Sequence, residues 1–307
     1  MRDNSGVGPG RPRQQSIATA DPFEEKWDGR PYWTGFQVER MLFDDRTRHQ
    51  HLTIFDNPVF GRVVALDGFV QTTERDGFIY NEMLAHPAIL AHGNVRRVLI
   101  IGGGGGGMLR EVVKHRSIES IVQVEIDAAV VEMCRKYLPA VCGDAFDDPR
   151  ATLVIADGLD FVERTDERFD VIIVDSPDPI GPAAVLFNRR FYTACRRRLA
   201  AGGVLVTQSG FPFTDGERLG EALALFRSLF ADSAYYLAAV PSYPTGSIAF
   251  GWASDDSAVR RRPLAVLERR FRAAAIATHH YTPEVHLAAF ALPPWFSEAI
   301  AADSSET

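Results

Sequence analysis

The sequence predicts an α/β protein in which a small antiparallel β-domain precedes a doubly wound parallel sheet. Three observations carry this. From residue 97 onward, five short and largely apolar runs alternate with helix-length stretches. The segment before them is rich in β-formers and punctuated by turn residues. Six consecutive glycines follow the first apolar run, where a strand would turn into a helix.

The β-rich segment runs from about Gln37 to Gln71. His51–Phe55 and Arg62–Leu66 read as strands, separated by the turn signals Asp56-Asn57-Pro58 and Asp67-Gly68. A helix is expected over Glu74–Leu90, with Phe78, Ile79, Met83, Leu84 and Ala88 as its apolar positions and Pro87 as a point where it ends early. At Arg97 the texture changes. Val98–Ile101 is a continuous apolar run, as in a strand buried on both faces. Met108–His115 then has helical periodicity. Further strands are expected at Ile121–Val124, Thr152–Ile155, Val171–Val174 and Gly203–Thr207, with helices at Ala128–Tyr137 and Asn188–Leu199. Strands alternating with helices of about ten to fifteen residues imply βαβ units. Right-handed crossovers then place the strand C-termini on one edge, where ligands bind. The expected division is a tail over 1–24, a β-strand domain over 25–92, a catalytic α/β domain over 93–300 and a second tail over 301–307. The tails are expected to be disordered, being poor in large apolar side chains.

Composition narrows the function classes. The 307 residues are 46% hydrophobic, enough for a sizeable core. No run of about 18 apolar residues occurs, so no membrane partner is expected. The net charge of −7 argues against a nucleic-acid partner. Cys134, Cys142 and Cys195 have no paired spacing and the N-terminus has no signal pattern, so a reduced, cytoplasmic chain is expected. No metal site is expected, because the adjacent His279-His280 lack helical ligand spacing.

The chemistry is expected at four strand ends. In the glycine run, Gly102, Gly104 and Gly107 form G-x-G-x-x-G, which fits a dinucleotide, an S-adenosyl ligand or a plain tight turn. Glu125, after the second strand, stands where an acid accepts hydrogen bonds from ribose hydroxyls. Asp157, after the third, can receive a proton from an adenine amine or cap the next helix. Asp175 and Asp178, after the fourth, lie in a loop stiffened by Pro177, Pro179 and Pro182. Two such acids can bind an ammonium or take its proton and free a nucleophilic nitrogen.

These residues resemble the spermidine synthases, the polyamine aminopropyltransferases, from about residue 37 to 296. The matching stretches include His49-Gln50, Ala65–Gly68, Gln71–Asp76, Ile100–Val112, Val124–Asp127, Arg135–Pro139, Phe146–Arg150, Asp175–Pro182 and Pro241–Pro244. The resemblance implies a small N-terminal β-domain on a class I S-adenosylmethionine-dependent-methyltransferase-like Rossmann domain, assembled as a homodimer or homotetramer. It implies that Gln50, Glu125 and Asp157 hold the nucleoside. Asp175, helped by Asp178, would deprotonate and orient a small-molecule amine, with Tyr80 and Tyr243 lining its channel.

Four positions depart from the family pattern: Gly105 replaces the acid of Gly-Gly-Gly-Asp-Gly, His51 an acid, Gly77 the Glu of Asp-Glu-Phe, and Asn81 a His or Gln. Asn81 and Gly77 fall in the segment lining the amine pocket. The missing acid at Gly105 would otherwise grip the ammonium of decarboxylated S-adenosylmethionine and repel the carboxylate of the intact cofactor. Plant putrescine N-methyltransferases resemble this family and also lack it. The expectation is therefore an amine-directed transferase using intact S-adenosylmethionine, moving methyl, with 3-amino-3-carboxypropyl transfer second. The alternatives are an aminopropyltransferase using decarboxylated S-adenosylmethionine and putrescine, and a non-catalytic nucleoside binder.

Overall fold

The computed structural model describes residues 21–27, 31–177 and 185–301. The expected tail positions 1–20 and 302–307, and Asp178, lie outside the described residues. The chain begins with a hairpin of β1 (Phe23–Lys26) and β2 (Trp33–Phe36). An antiparallel sheet follows in the order β3 (Arg40–Arg46), β4 (His51–Asn57), β5 (Gly61–Leu66), β6 (Phe69–Thr73). Phe23, inside the stretch expected as a tail, is drawn into β1 by its contacts with the rings of Phe36 and Phe55. The β5–β6 hairpin turns at Asp67 and Gly68, both at positive φ (49° and 87°), which the Asp-Gly pair tolerates.

Helix α1 (Gly77–His92) does not stop at Pro87. Proline removes the amide that would bond to the Met83 carbonyl. Here the hydroxyl of Tyr236 donates to that carbonyl at 2.9 Å, so the acceptor is satisfied and the helix runs on. It ends at Gly93, in the left-handed region at φ 78°, whose amide bonds back to the Ile89 carbonyl.

The large sheet has seven strands in the order β12-β13-β11-β10-β7-β8-β9. Its parallel part is β7 (Arg97–Gly102), β8 (Ser120–Glu125), β9 (Ala151–Ile155), β10 (Phe169–Asp175) and β11 (Leu199–Gly210). Strands β12 (Asp232–Ala239) and β13 (Ser247–Ser254) add an antiparallel edge that the βαβ pattern does not anticipate. The crossovers contain α2 (Gly107–Val113), α3 (Ala128–Tyr137), α4 (Pro139–Cys142), α5 (Gly158–Arg164), α6 (Arg189–Arg198) and α7 (Gly216–Leu229). The C-terminal helices are α8 (Ser257–Arg260), α9 (Leu264–Ala274), α10 (Pro283–Ala289) and α11 (Pro294–Ala299).

Alternation along the central strands supplies two cores. Val98, Ile100, Val171, Ile173, Val204 and Val206 face α1 and α2. Leu99, Ile101, Ile172, Val174 and Leu205 face α5, α6 and α7. Side chains of successive strand residues point to opposite faces, which is why these runs are apolar throughout. A third cluster joins Val130 and Cys134 of α3 to Leu52, Ile54 and Val64, so the small sheet is packed onto the large one. Among the described residues, no helix is long and apolar enough to cross a membrane.

Candidate active site

The C-terminal ends of β7, β8, β9 and β10 open into one cleft, roofed on one side by the small sheet. It holds about 1650 Å³ of empty space, its solvent-open mouth included. Gln50, Tyr80, Asn81, Gly102–Gly107, Glu125, Asp157, Asp175 and Tyr243 all line it. The fold thus brings together every expected site residue that is described.

The glycine loop leaves β7 and enters α2. Gly102, Gly103 and Gly106 take φ of 85°, 71° and 77°, and a Cβ at Gly104 or Gly107 would collide with Glu125 or Asn81. Gly105 differs. Its φ is not positive, and a Cβ there would meet only the Thr72 methyl at 3.9 Å. Glycine is therefore a steric need at five positions and an open wall at the sixth. Gly105→Ala should leave stability unchanged or raise it by about 0.4–1 kcal/mol by restricting the unfolded chain. Gly104→Ala, with its Cβ 2.8 Å from Glu125 Oε2, should lower it by roughly 1–3 kcal/mol. Thermal melts of the two variants check this contrast.

Glu125 is buried and anchors the loop. Its Oε2 accepts the Gly104 amide and its Oε1 the Asp127 amide, both at 3.0 Å. Burial pushes its carboxyl up to about 7, against the downward pull of those amides. Asp127 caps α3 through the Ala129 amide and also receives Thr47 Oγ1 at 2.5 Å and Gln50 Nε2 at 3.1 Å. It thereby ties the small sheet to the C-terminal edge of the large one at β8. Asp157 caps α5 through the Asp160 amide at 2.9 Å and also lines the cleft. Asn81 packs against Gly107 as well as facing the cleft.

Asp175 ends β10. Its carbonyl accepts the Gly103 amide at 2.8 Å, and its Oδ1 receives the Tyr80 hydroxyl at 2.6 Å. Burial lifts its carboxyl to about 6, opposed by the Tyr80 hydrogen bond. Tyr80 and Tyr243 meet edge to face, with ring centroids 5.9 Å apart. Two lining acids, Glu25 and Asp67, were not singled out in the sequence. Glu25 lies in the short strand β1, where no local pattern distinguishes it from its neighbours.

The described lining therefore carries five carboxyl groups, Glu25, Asp67, Glu125, Asp157 and Asp175, and no lysine or arginine. Three of the loop amides are engaged within the protein. Gly103 donates to Asp175 O, Gly104 to Glu125 and Gly106 to Gly103 O. The wall at Gly105 is open, and no lysine or arginine stands in the described lining around it.

The chain has close relatives. Residues 77–263 match the spermine/spermidine synthase domain and residues 23–74 the spermidine synthase tetramerisation domain. The chain is 55% identical over 269 residues to Polyamine aminopropyltransferase 1 of Pseudomonas aeruginosa, covering 88% of this chain and 94% of that protein. It is 52% identical over 270 residues to the polyamine aminopropyltransferase of Klebsiella pneumoniae (strain 342), covering 87% and 93%. A crystal structure of spermidine synthase in complex with the transition state analogue AdoDATO superposes with a TM-score of 0.87 at 35% identity, covering 94% of this chain and 99% of that one. The spermidine synthase of Thermotoga maritima gives 0.84 at 34%, covering 98% and 99%.

These relatives overturn the expectation of methyl or aminocarboxypropyl transfer from intact S-adenosylmethionine, since proteins more than half identical to this one are named for aminopropyl transfer. The physical reason lies in the cleft. Gly105 removes one acid, yet five carboxyl groups line the described part of the cleft, with no lysine or arginine among the described lining residues. Two like charges ~4 Å apart at an effective ε of ~20 repel by roughly 4 kcal/mol. With the domain matches and this identity over nearly nine-tenths of its length, the chain is a transferase that belongs to the spermine/spermidine synthase family.

Proposed function

We propose that this chain transfers an aminopropyl group from decarboxylated S-adenosylmethionine to a small aliphatic diamine, with 1,4-diaminobutane (putrescine) as the leading acceptor. The observation that carries the reading is the charge of the cleft: five carboxyl groups and no lysine or arginine among its described residues. Both substrates of this reaction are cations without a carboxylate, so the wall attracts each of them. The names of the relatives point the same way.

The residues divide the work by position. Glu125 accepts from the ribose hydroxyls, and Gln50, whose amide nitrogen is spent on Asp127, offers its oxygen beside it. Asp157 takes the adenine end. The donor supplies a sulfonium leaving group. Asp175 holds the acceptor ammonium and takes its proton, leaving a lone pair aimed at the arm's sulfur-bound carbon. A C–N bond forms as the C–S bond breaks, and the sulfonium becomes the neutral thioether of methylthioadenosine. Tyr80 keeps Asp175 oriented through its 2.6 Å hydrogen bond, and Asp178, three residues further along the chain, is the second acid the resemblance implies. The match of residues 23–74 to a tetramerisation domain supports a homo-oligomer.

The test is the nucleoside product, followed by mass spectrometry with each donor and 1,4-diaminobutane. Methylthioadenosine from the decarboxylated donor, at least about a hundredfold faster than any product from the intact one, is expected. That ratio corresponds to roughly 3 kcal/mol of discrimination. S-adenosylhomocysteine as the main product overturns the reading.

A further inference from the structure

Asp76 stands at the N-cap of α1, where an aspartate ordinarily binds the first free amides of its own helix. It makes no such bond. Its buried carboxyl group turns to two other segments. Oδ2 accepts the Ser242 amide at 2.7 Å, and Oδ1 accepts the Thr73 hydroxyl at 2.6 Å and the Ser242 hydroxyl at 3.1 Å. A helix cap is forgone in favour of a three-way tie between the end of β6, the start of α1 and the turn after β12.

Each of those segments carries part of the acceptor channel. Tyr80 lies four residues beyond Asp76, on the same helix face, and gives its hydroxyl to Asp175. Tyr243 directly follows Ser242; its amide closes the turn on the Val240 carbonyl at 3.0 Å and its hydroxyl donates to the Gln71 carbonyl at 2.7 Å. Gln71 in turn lies two residues before Thr73. The edge-to-face contact of the two tyrosines therefore spans two separate chain segments that meet at one carboxyl group.

We propose that Asp76 is a positioning residue for the acceptor: it sets Tyr243 against Tyr80, and through Tyr80 it sets Asp175. The inference rests on the diamine reading of the cleft. The nucleoside end lies outside its reach, because Gln50, Glu125 and Asp157 make no contact with it in the hydrogen-bond network.

The experiment measures KM for 1,4-diaminobutane, kcat, and calorimetric Kd for methylthioadenosine. Asp76→Ala should raise the diamine KM about tenfold or more, with a smaller change in kcat and a nucleoside Kd within about twofold. Asp76→Asn should recover KM to within about threefold. Its amide oxygen can accept the Ser242 N–H while the Thr73 and Ser242 hydroxyls rotate to accept from its NH₂. If Asp76→Ala does not fold, the Thr73→Val, Ser242→Ala double variant removes both Oδ1 bonds and should raise KM by at least about threefold on its own. An unmoved KM, or KM and nucleoside Kd rising together, overturns the proposal. Failure of the unmodified protein to turn over any diamine would instead overturn the reading on which it rests.

Discussion

Asp175→Asn should reduce kcat/KM for the amine by about a thousandfold, within the range expected for loss of a positioned general base. Asparagine keeps an oxygen for the Tyr80 hydroxyl, so geometry survives while the proton acceptor is lost. Methylthioadenosine should still bind with nearly unchanged affinity. Retention of more than a tenth of the activity would remove Asp175 from the mechanism. The pH dependence follows from the same burial. A carboxyl raised to about 6 is ionised at neutral pH, so activity should fall as pH drops through about 6, and the variant should lack that acidic limb. Stability has the opposite sign. Burying the ionised group destabilises the fold fully above about pH 6, and this cost vanishes below the unfolded value of ~3.9. Asp175→Asn should therefore melt no lower than the original at pH 8, and the two should converge near pH 4.

The largest expected loss of stability comes from Glu82→Ala. This glutamate lies on α1, two residues beyond Tyr80, and is fully buried. It accepts the backbone amides of His279, His280 and Tyr281, each at 2.8 Å. Alanine would take the acceptor from the buried Tyr281 amide and from the partly buried amides of His279 and His280. A cost of about 3–5 kcal/mol follows from stranding groups of this kind, and the melting temperature should fall by on the order of 10 °C. Glu82→Gln should be intermediate, because its NH₂ must face one of the three donors. A loss below about 1 kcal/mol would show that the segment finds other acceptors.

The parts of this molecule that were legible in its sequence are those set by local pattern. The runs at 98–101 and 171–174 are apolar on both faces because helices cover both sides of the sheet. The acids at strand ends fell where a parallel sheet places its ligands, and Glu125, Asp157 and Asp175 do share one cleft. What local pattern could not show depends on distant partners. Pro87 reads as a helix stop unless Tyr236 is known to replace the lost amide. Asp76 falls inside the helix expected over Glu74–Leu90, but its carboxyl group serves Ser242, 166 residues away. The charge of the cleft is likewise a property of the assembly. Gly105 drew attention as a missing acid, and its neighbourhood is indeed open. The acids that line the cleft there also include Glu25 of the β1–β2 hairpin and Asp67 of the β5–β6 turn, both far from the glycine loop in sequence.

The clamp on Glu82 also bears on how the enzyme comes into being. The helix that presents Tyr80 satisfies its buried glutamate with amides 197–199 residues later in the chain. On a ribosome adding ~5–20 residues per second, that wait lasts roughly 10–40 s. Throughout it the helix that carries Tyr80 holds an unanswered acid, so the cleft cannot lock into place from the N-terminal portion of the chain alone. A nascent chain halted before its last thirty or so residues emerge would have its glycine loop spelled out and still be inert.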